Sequence, residues 1–134
     1  MIQNQPGFHL IEIIIALAII SLLAGLSLPL YSQHLIHEKR LEAESMLSKL
    51  AIAMEKYHIE QNTYQGATLA DLSFPEFILK NNYQLSIQTT ANDYQLMAKP
   101  LGTQAEKDEI CGALILKSTG EKETTGTGKS DDCW

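Results

Sequence analysis

From Ile13 to Tyr31 the chain runs for 19 residues without a charge, close to the roughly 20 residues an α-helix needs to cross a bilayer. One acid, Glu12, stands at the start of this run. From Ser32 to about Gln61 the pattern becomes two-faced. Ala43, Met46, Leu47, Leu50, Ala51, Met54 and Tyr57 recur at i, i+3, i+4, i+7, i+8, i+11 and i+14, the spacing of one helix face. Lys39, Glu42, Glu44, Lys49, Lys56 and Glu60 fall on the other side. The pattern therefore predicts one long helix, membrane-like in its first half and amphipathic in its second. Proline lacks an amide hydrogen and can kink a helix, so Pro29, together with Gly25, predicts a softened or bent stretch. The apolar stripe of the second half needs a partner layer, most simply a sheet.

The remaining chain supplies that sheet. Tyr83, Leu85 and Ile87 alternate with Gln84, Ser86 and Gln88, a half-buried strand pattern. Ala91-Asn92-Asp93 reads as a turn, and residues 94–98 as the return strand, stopped near Pro100. A third strand is predicted over about 112–117, a turn over 118–121, and a short fourth strand near 122–124. The expected fold is α+β: a long N-terminal helix on three or four antiparallel strands. The 62–82 connection is long enough to be a specialised surface.

Composition narrows the function classes. A chain of 134 residues that commits some 25 to an anchor leaves one small domain. The net charge of −6 argues against a broadly nucleic-acid-binding surface, and the last 34 residues keep the bias, with four Lys against seven Asp or Glu. No direct nucleic-acid site is evident. A secretory signal fits poorly, because residues 1–7 hold no Lys or Arg, the apolar run is too long and no clear A-x-A site follows. A carboxylate in an apolar helix is costly and calls for a named partner.

The junction Gly7-Phe8-His9-Leu10-Ile11-Glu12 resembles the N-terminal signature of type IV prepilins, usually Gly-Phe-Thr-Leu-Ile-Glu. His9 stands where Thr is usual, and the leader carries no cation, so the orientation of the helix rests on the resemblance. That resemblance implies a leader at 1–7, a transmembrane and filament-core helix at 8–31, and a globular head at 32–134. It implies that a prepilin peptidase/N-methyltransferase cuts between Gly7 and Phe8 and methylates the new Phe8 amine. Such an amine is largely cationic at neutral pH, and Glu12 lies one helical turn on. In a bundle of parallel helices the Glu12 carboxylate of one subunit can meet the Phe8 amine of the next, a pairing that sets register more than it adds net stability.

Cys111 and Cys133 are the only cysteines, and they lack C-x-x-C spacing. The spacing alone leaves open a disulfide or two separate buried thiols. A head outside a bacterial cytoplasmic membrane lies where disulfides form, and a disulfide-bounded C-terminal loop is a recurring pilin feature. By the chain-entropy estimate such a bridge contributes about 3 kcal/mol. It would tie down a Gly/Thr-rich tail and hold Trp134 against the last strand. Arg40–Glu44, Met54–Tyr57, Gln61–Leu69, Cys111–Leu116 and Asp132–Trp134 further resemble the PilE-type minor pilins. The resemblance runs nearly end to end.

Other chemistry is weaker. His34, His37 and Glu38 could form a surface metal site but more simply make a solvated face, and their order is not H-E-x-x-H. Asp131 and Asp132 lack a recognisable calcium loop around them. No catalytic triad, phosphate loop or cofactor fingerprint is legible, so no enzyme, metal or cofactor is expected. The reading is a structural subunit of a type IV pilus, a minor pilin serving pilus initiation and assembly and, through the pilus, motility, adhesion or DNA uptake. Its implied partners are the major pilin, other minor pilins, the processing peptidase, the inner-membrane assembly platform and, before assembly, the membrane itself. Its implied location is the inner membrane, single-pass with the head outside the cytoplasm, and then the surface pilus. The alternatives are a pseudopilin of a type II secretion or competence system and a membrane-anchored binding domain that never polymerises.

Overall fold

A computed structural model describes residues 7–134; residues 1–6 of the expected leader lie outside the described residues. Helix α1 spans Leu10–Gln61. Compact units divide the chain at Leu35/Ile36. In the first unit the helix is continuous through Gly25 and Pro29. Pro29 has no N–H to give the Gly25 carbonyl, and side chains enter the backbone pattern on the way there. Ser21 Oγ donates to the Leu17 carbonyl at 2.7 Å and Ser27 Oγ to the Ala24 carbonyl at 3.0 Å.

The second unit is the head. The sheet runs in chain order: β1 (Phe77–Ile78), β2 (Tyr83–Thr89), β3 (Tyr94–Pro100), β4 (Leu114–Lys117) and β5 (Lys122–Thr124), every neighbouring pair antiparallel. Two short helices, α2 (Gly102–Lys107) and α3 (Ser130–Cys133), complete it. The four expected strands are present and a two-residue edge strand, β1, joins them. Its Phe-Ile pair is too short to show any period, and only pairing with Gln84 and Tyr83 creates it.

Period-two patterning puts Tyr83 and Leu85 of β2, Leu96 and Ala98 of β3, and Leu114 and Leu116 of β4 on one buried face. They share a single core with Ala43, Leu47, Leu50 and Met54 of α1, all fully buried. The register places Leu96 opposite both Ile87 and Leu116, so the middle of β3 is the centre of the core. A one-residue slip would turn this set outward.

The apolar helix, the buried polar cluster and the tied C-terminal loop

At its N-terminus α1 is capped by its own sequence. The His9 carbonyl accepts from the backbone N–H of Glu12 at 3.0 Å, and Glu12 Oε2 accepts from the His9 backbone N–H at 3.1 Å. This is the reciprocal half of a capping box, with the acid three residues into the helix meeting an orphan donor. An acid there also suits the positive end of the helix dipole. Phe8 is 88% exposed, and the large apolar side chains from Ile13 to Tyr31 are 47–71% exposed. This segment has the length and composition to cross a membrane, and none of its most apolar window is buried within the chain.

In the head, α1 turns a polar cluster inward. Arg40 Nη1 donates to Asp108 Oδ1 at 2.6 Å and to Cys111 Sγ at 3.0 Å, and Arg40 Nη2 lies 3.0 Å from His37 Nδ1. The Arg40 and Asp108 side chains are only 12% and 5% exposed. Gln104, fully buried on α2, donates through Nε2 to the Ile36 carbonyl and to Tyr83 Oη, both at 3.0 Å. The cluster thus fastens α2 and the segment before Cys111 to the helix. Burial pushes the Asp108 carboxyl up from its ordinary value, and Arg40 opposes that rise. Burial likewise raises Glu44, against the pull of Arg40 and Lys122. The Tyr83 hydroxyl is pushed up to about 12, chiefly by burial.

A second tie lies further along α1. Glu55 accepts from Tyr64 Oη at 3.0 and 3.1 Å and from Tyr94 Oη at 3.2 Å. The Tyr64 ring stacks on His58 at 4.3 Å and meets Tyr94 edge-on at 4.9 Å. The connection after α1 is thereby held to both helix and sheet.

Cys111 and Cys133 form a disulfide with Cα atoms 5.6 Å apart. The Gly/Thr-rich stretch it encloses runs against the backbone of residues 109–111. Gly126 N–H donates to the Cys111 carbonyl at 3.0 Å and Gly128 N–H to the Ile110 carbonyl at 2.8 Å. A Cβ on Gly126 would sit 2.1 Å from the Ile110 carbonyl oxygen, so glycine there is a packing requirement. Trp134 Nε1 donates to the Glu123 carbonyl on β5 at 3.1 Å, with Lys122 Nζ 5.0 Å from its ring. Trp134 is held against β5, as expected of a bridged C-terminal loop.

His37 is engaged with Arg40, and among the described residues no group of three His, Cys, Asp or Glu is placed to hold a metal. The buried Arg40–Asp108–Gln104–Tyr83 cluster escaped the sequence reading, because its members are 68 residues apart in the Arg40–Asp108 pair. Glu44 carried a faint signal: an acid assigned to the solvated face, it is only partly exposed, with a buried Oε1.

A membrane-length apolar helix, an antiparallel head and a C-terminal disulfide together make a pilin-like architecture. Residues 29–115 match the family described as type IV minor pilin ComP, DNA uptake sequence receptor, and the chain belongs to that family of minor pilins. It is also 30% identical over 88 residues to the type IV major pilin protein PilE1 of Neisseria gonorrhoeae, a match covering 66% of this chain and 41% of that one. The chain thus spans about two-fifths of that relative's length. Among solved structures, a type IV pilin from Shewanella oneidensis superposes with a TM-score of 0.52 at 21% identity, over 65% of this chain and 89% of that one. The non-core minor pilin PilV of Neisseria meningitidis gives 0.56 at 19% identity, over 72% and 93%. At such identities the likeness is one of fold.

Proposed function

We propose that this minor pilin is cut between Gly7 and Phe8, methylated on Phe8, held in the inner membrane by residues 8–31 with its 32–134 head outside the cytoplasm, and then drawn into a surface pilus beside major and other minor pilins. The observation that carries the reading is the exposed, charge-free helix after Glu12 on a pilin head. Apolar side chains in that number gain roughly 1.5–3 kcal/mol each when removed from water, which lipid supplies first and neighbouring helices second. Glu12 is the one carboxylate in that segment, and a hydrocarbon environment penalises its charge. In the single chain it caps the His9 amide; in a filament the Phe8 amine of a neighbour gives it a cation. The processing enzyme and the assembly platform act on this end of the chain.

The protein works by assembly and not by catalysis. A cleft of about 430 Å³ between the β2–β3 and β4–β5 turns is lined by Gln88, Asp93, Lys117, Thr119 and neighbours. The intact mass of the protein from sheared filaments tests the proposal. Loss of residues 1–7, one added methyl group and two hydrogens lost to the disulfide are expected. Recovery of only the unprocessed 134-residue chain from membranes overturns it.

DNA capture is the second reading, favoured by the family description attached to the 29–115 match. The charge pattern opposes indiscriminate binding, since Lys117 is held by Glu121 and Glu123 at 3.3 and 2.6 Å. Retention of one duplex sequence over its scrambled version at moderate salt supports this reading; equal or no retention removes it.

A further inference from the structure

The Arg40 guanidinium reaches the sulfur of a disulfide that ties a different part of the head. We propose that Arg40 is a positioning residue for oxidative closure of the C-terminal loop: it holds Cys111 as the thiolate that first attacks the external disulfide, and Cys133 then closes the bridge. The two cysteines are placed unequally for this chemistry. Cys111 follows the α2 segment, which Gln104 and Asp108 fasten to α1. Its sulfur accepts from Arg40 Nη1 at 3.0 Å. Cys133 lies in the four-residue helix α3, directly after two acids, Asp131 and Asp132.

The exchange balances without a cofactor. The Cys111 thiolate attacks an external disulfide, a small-molecule or protein carrier, and releases one carrier thiolate. A Cys133 thiolate then attacks Cys111 Sγ, forms the 111–133 bond and expels the second carrier thiolate. Two protein thiols are oxidised and one carrier disulfide is reduced to two thiols. A thiolate is the nucleophile, and a neighbouring cation favours it. By microscopic reversibility an external thiol reducing the bridge attacks Cys111 and expels Cys133.

The charges around Cys111 oppose one another. Arg40 favours the thiolate, while its Nη2 donates to His37 Nδ1. Asp108 shares the same guanidinium and disfavours the thiolate, as do Glu44, coupled to Arg40, and Glu109 two positions before the cysteine. Asp131 and Asp132 flank Cys133 and disfavour ionisation there. The pattern thus separates the two thiols in the direction the proposal requires.

This opposition gives a test that a structural role for Arg40 fails. Full-length Cys133→Ser protein in detergent leaves Cys111 as the sole thiol, and its alkylation rate by iodoacetamide against pH reads its ionisation. The expected midpoint lies about one unit or more below the ordinary thiol value near 8.5, with the same protein in denaturant as reference. Arg40→Gln should raise the midpoint, and Asp108→Asn should lower it further. A merely structural ion pair predicts that both variants shift the midpoint the same way, since both break it; that result, or no shift, overturns the proposal. Should Arg40→Gln fail to fold by near-ultraviolet circular dichroism, Asp108→Asn alone decides by its sign. Reduced wild-type protein treated with oxidised glutathione and quenched in acid should carry the early adduct on Cys111; an early adduct on Cys133 overturns the assigned order.

Discussion

The two halves of α1 are written in nearly the same apolar alphabet and meet opposite fates. From Ile13 to Tyr31 the Ile and Leu side chains stay largely exposed, whereas Ala43, Leu47, Leu50 and Met54 are sealed to zero exposure. The difference lies in what surrounds them in sequence. Where the apolar residues run on without charge, no side of the helix is reserved for water and a full cylinder of hydrocarbon needs cover. Where they recur every three or four residues among Lys and Glu, only a stripe needs cover, and one small sheet provides it. A single helix can therefore serve two solvents. Its second half uses its apolar surface to fold the head, and its first half leaves that surface uncovered within the chain.

The largest expected effect separates the halves by function. Glu12→Ala should abolish incorporation into filaments, scored by immunoblot of sheared pili, while the melting temperature of the head stays unchanged. A mutant still incorporated at wild-type level would remove the acid from the assembly role. Next, Leu50→Ala should destabilise the head by about 2–5 kcal/mol, read by chemical denaturation in detergent. Leu22→Ala, the same chemistry in the first half, should leave the head transition in place. Equal losses at the two sites would end the distinction drawn between them.

Removing the disulfide by Cys111→Ser with Cys133→Ser should cost about 3 kcal/mol by the loop-entropy estimate. Loss of the Trp134 fluorescence signature should come first, because the bridge holds the end of the chain against β5. The smallest effect concerns pH. Asp108 is raised above its unfolded value by burial, so the folded head holds that proton more tightly than the unfolded chain does. Its contribution to stability therefore grows as pH falls through the elevated value, is complete below the ordinary carboxylate range and is lost as pH rises. Asp108→Asn should flatten the pH dependence of the head's melting temperature between neutral pH and pH 4. An unchanged slope would show that Asp108 titrates as an ordinary carboxyl.

Local periodicity made most of the fold legible. The α1 stripe, the alternation in β2 and the turn residues before β3 are all patterns within about fifteen positions, the range over which a helix or hairpin decides its own geometry. Strand β1 was illegible because Phe77 and Ile78 become a strand only by pairing with β2. Helix α2 has no side-chain cap bond and is held by Gln104 reaching across to Ile36, so nothing nearby in sequence announces it. The same holds for Glu55, whose partners Tyr64 and Tyr94 lie 9 and 39 residues away.

By itself the sequence determined the membrane-length apolar run with its single acid, the amphipathic continuation and the period of the main strands. Those follow from which side chains leave water and how often they recur. Only the tertiary structure decided that Arg40 turns inward to Asp108 and the Cys111 sulfur, that Glu44 leaves the solvated face, and that Gly126 must lack a side chain. These depend on which distant segments arrive at one place. A long basic side chain next to an acid on a helix reads as a surface pair until the fold brings another carboxylate and a disulfide beneath it, and removes the water that would have made the choice immaterial.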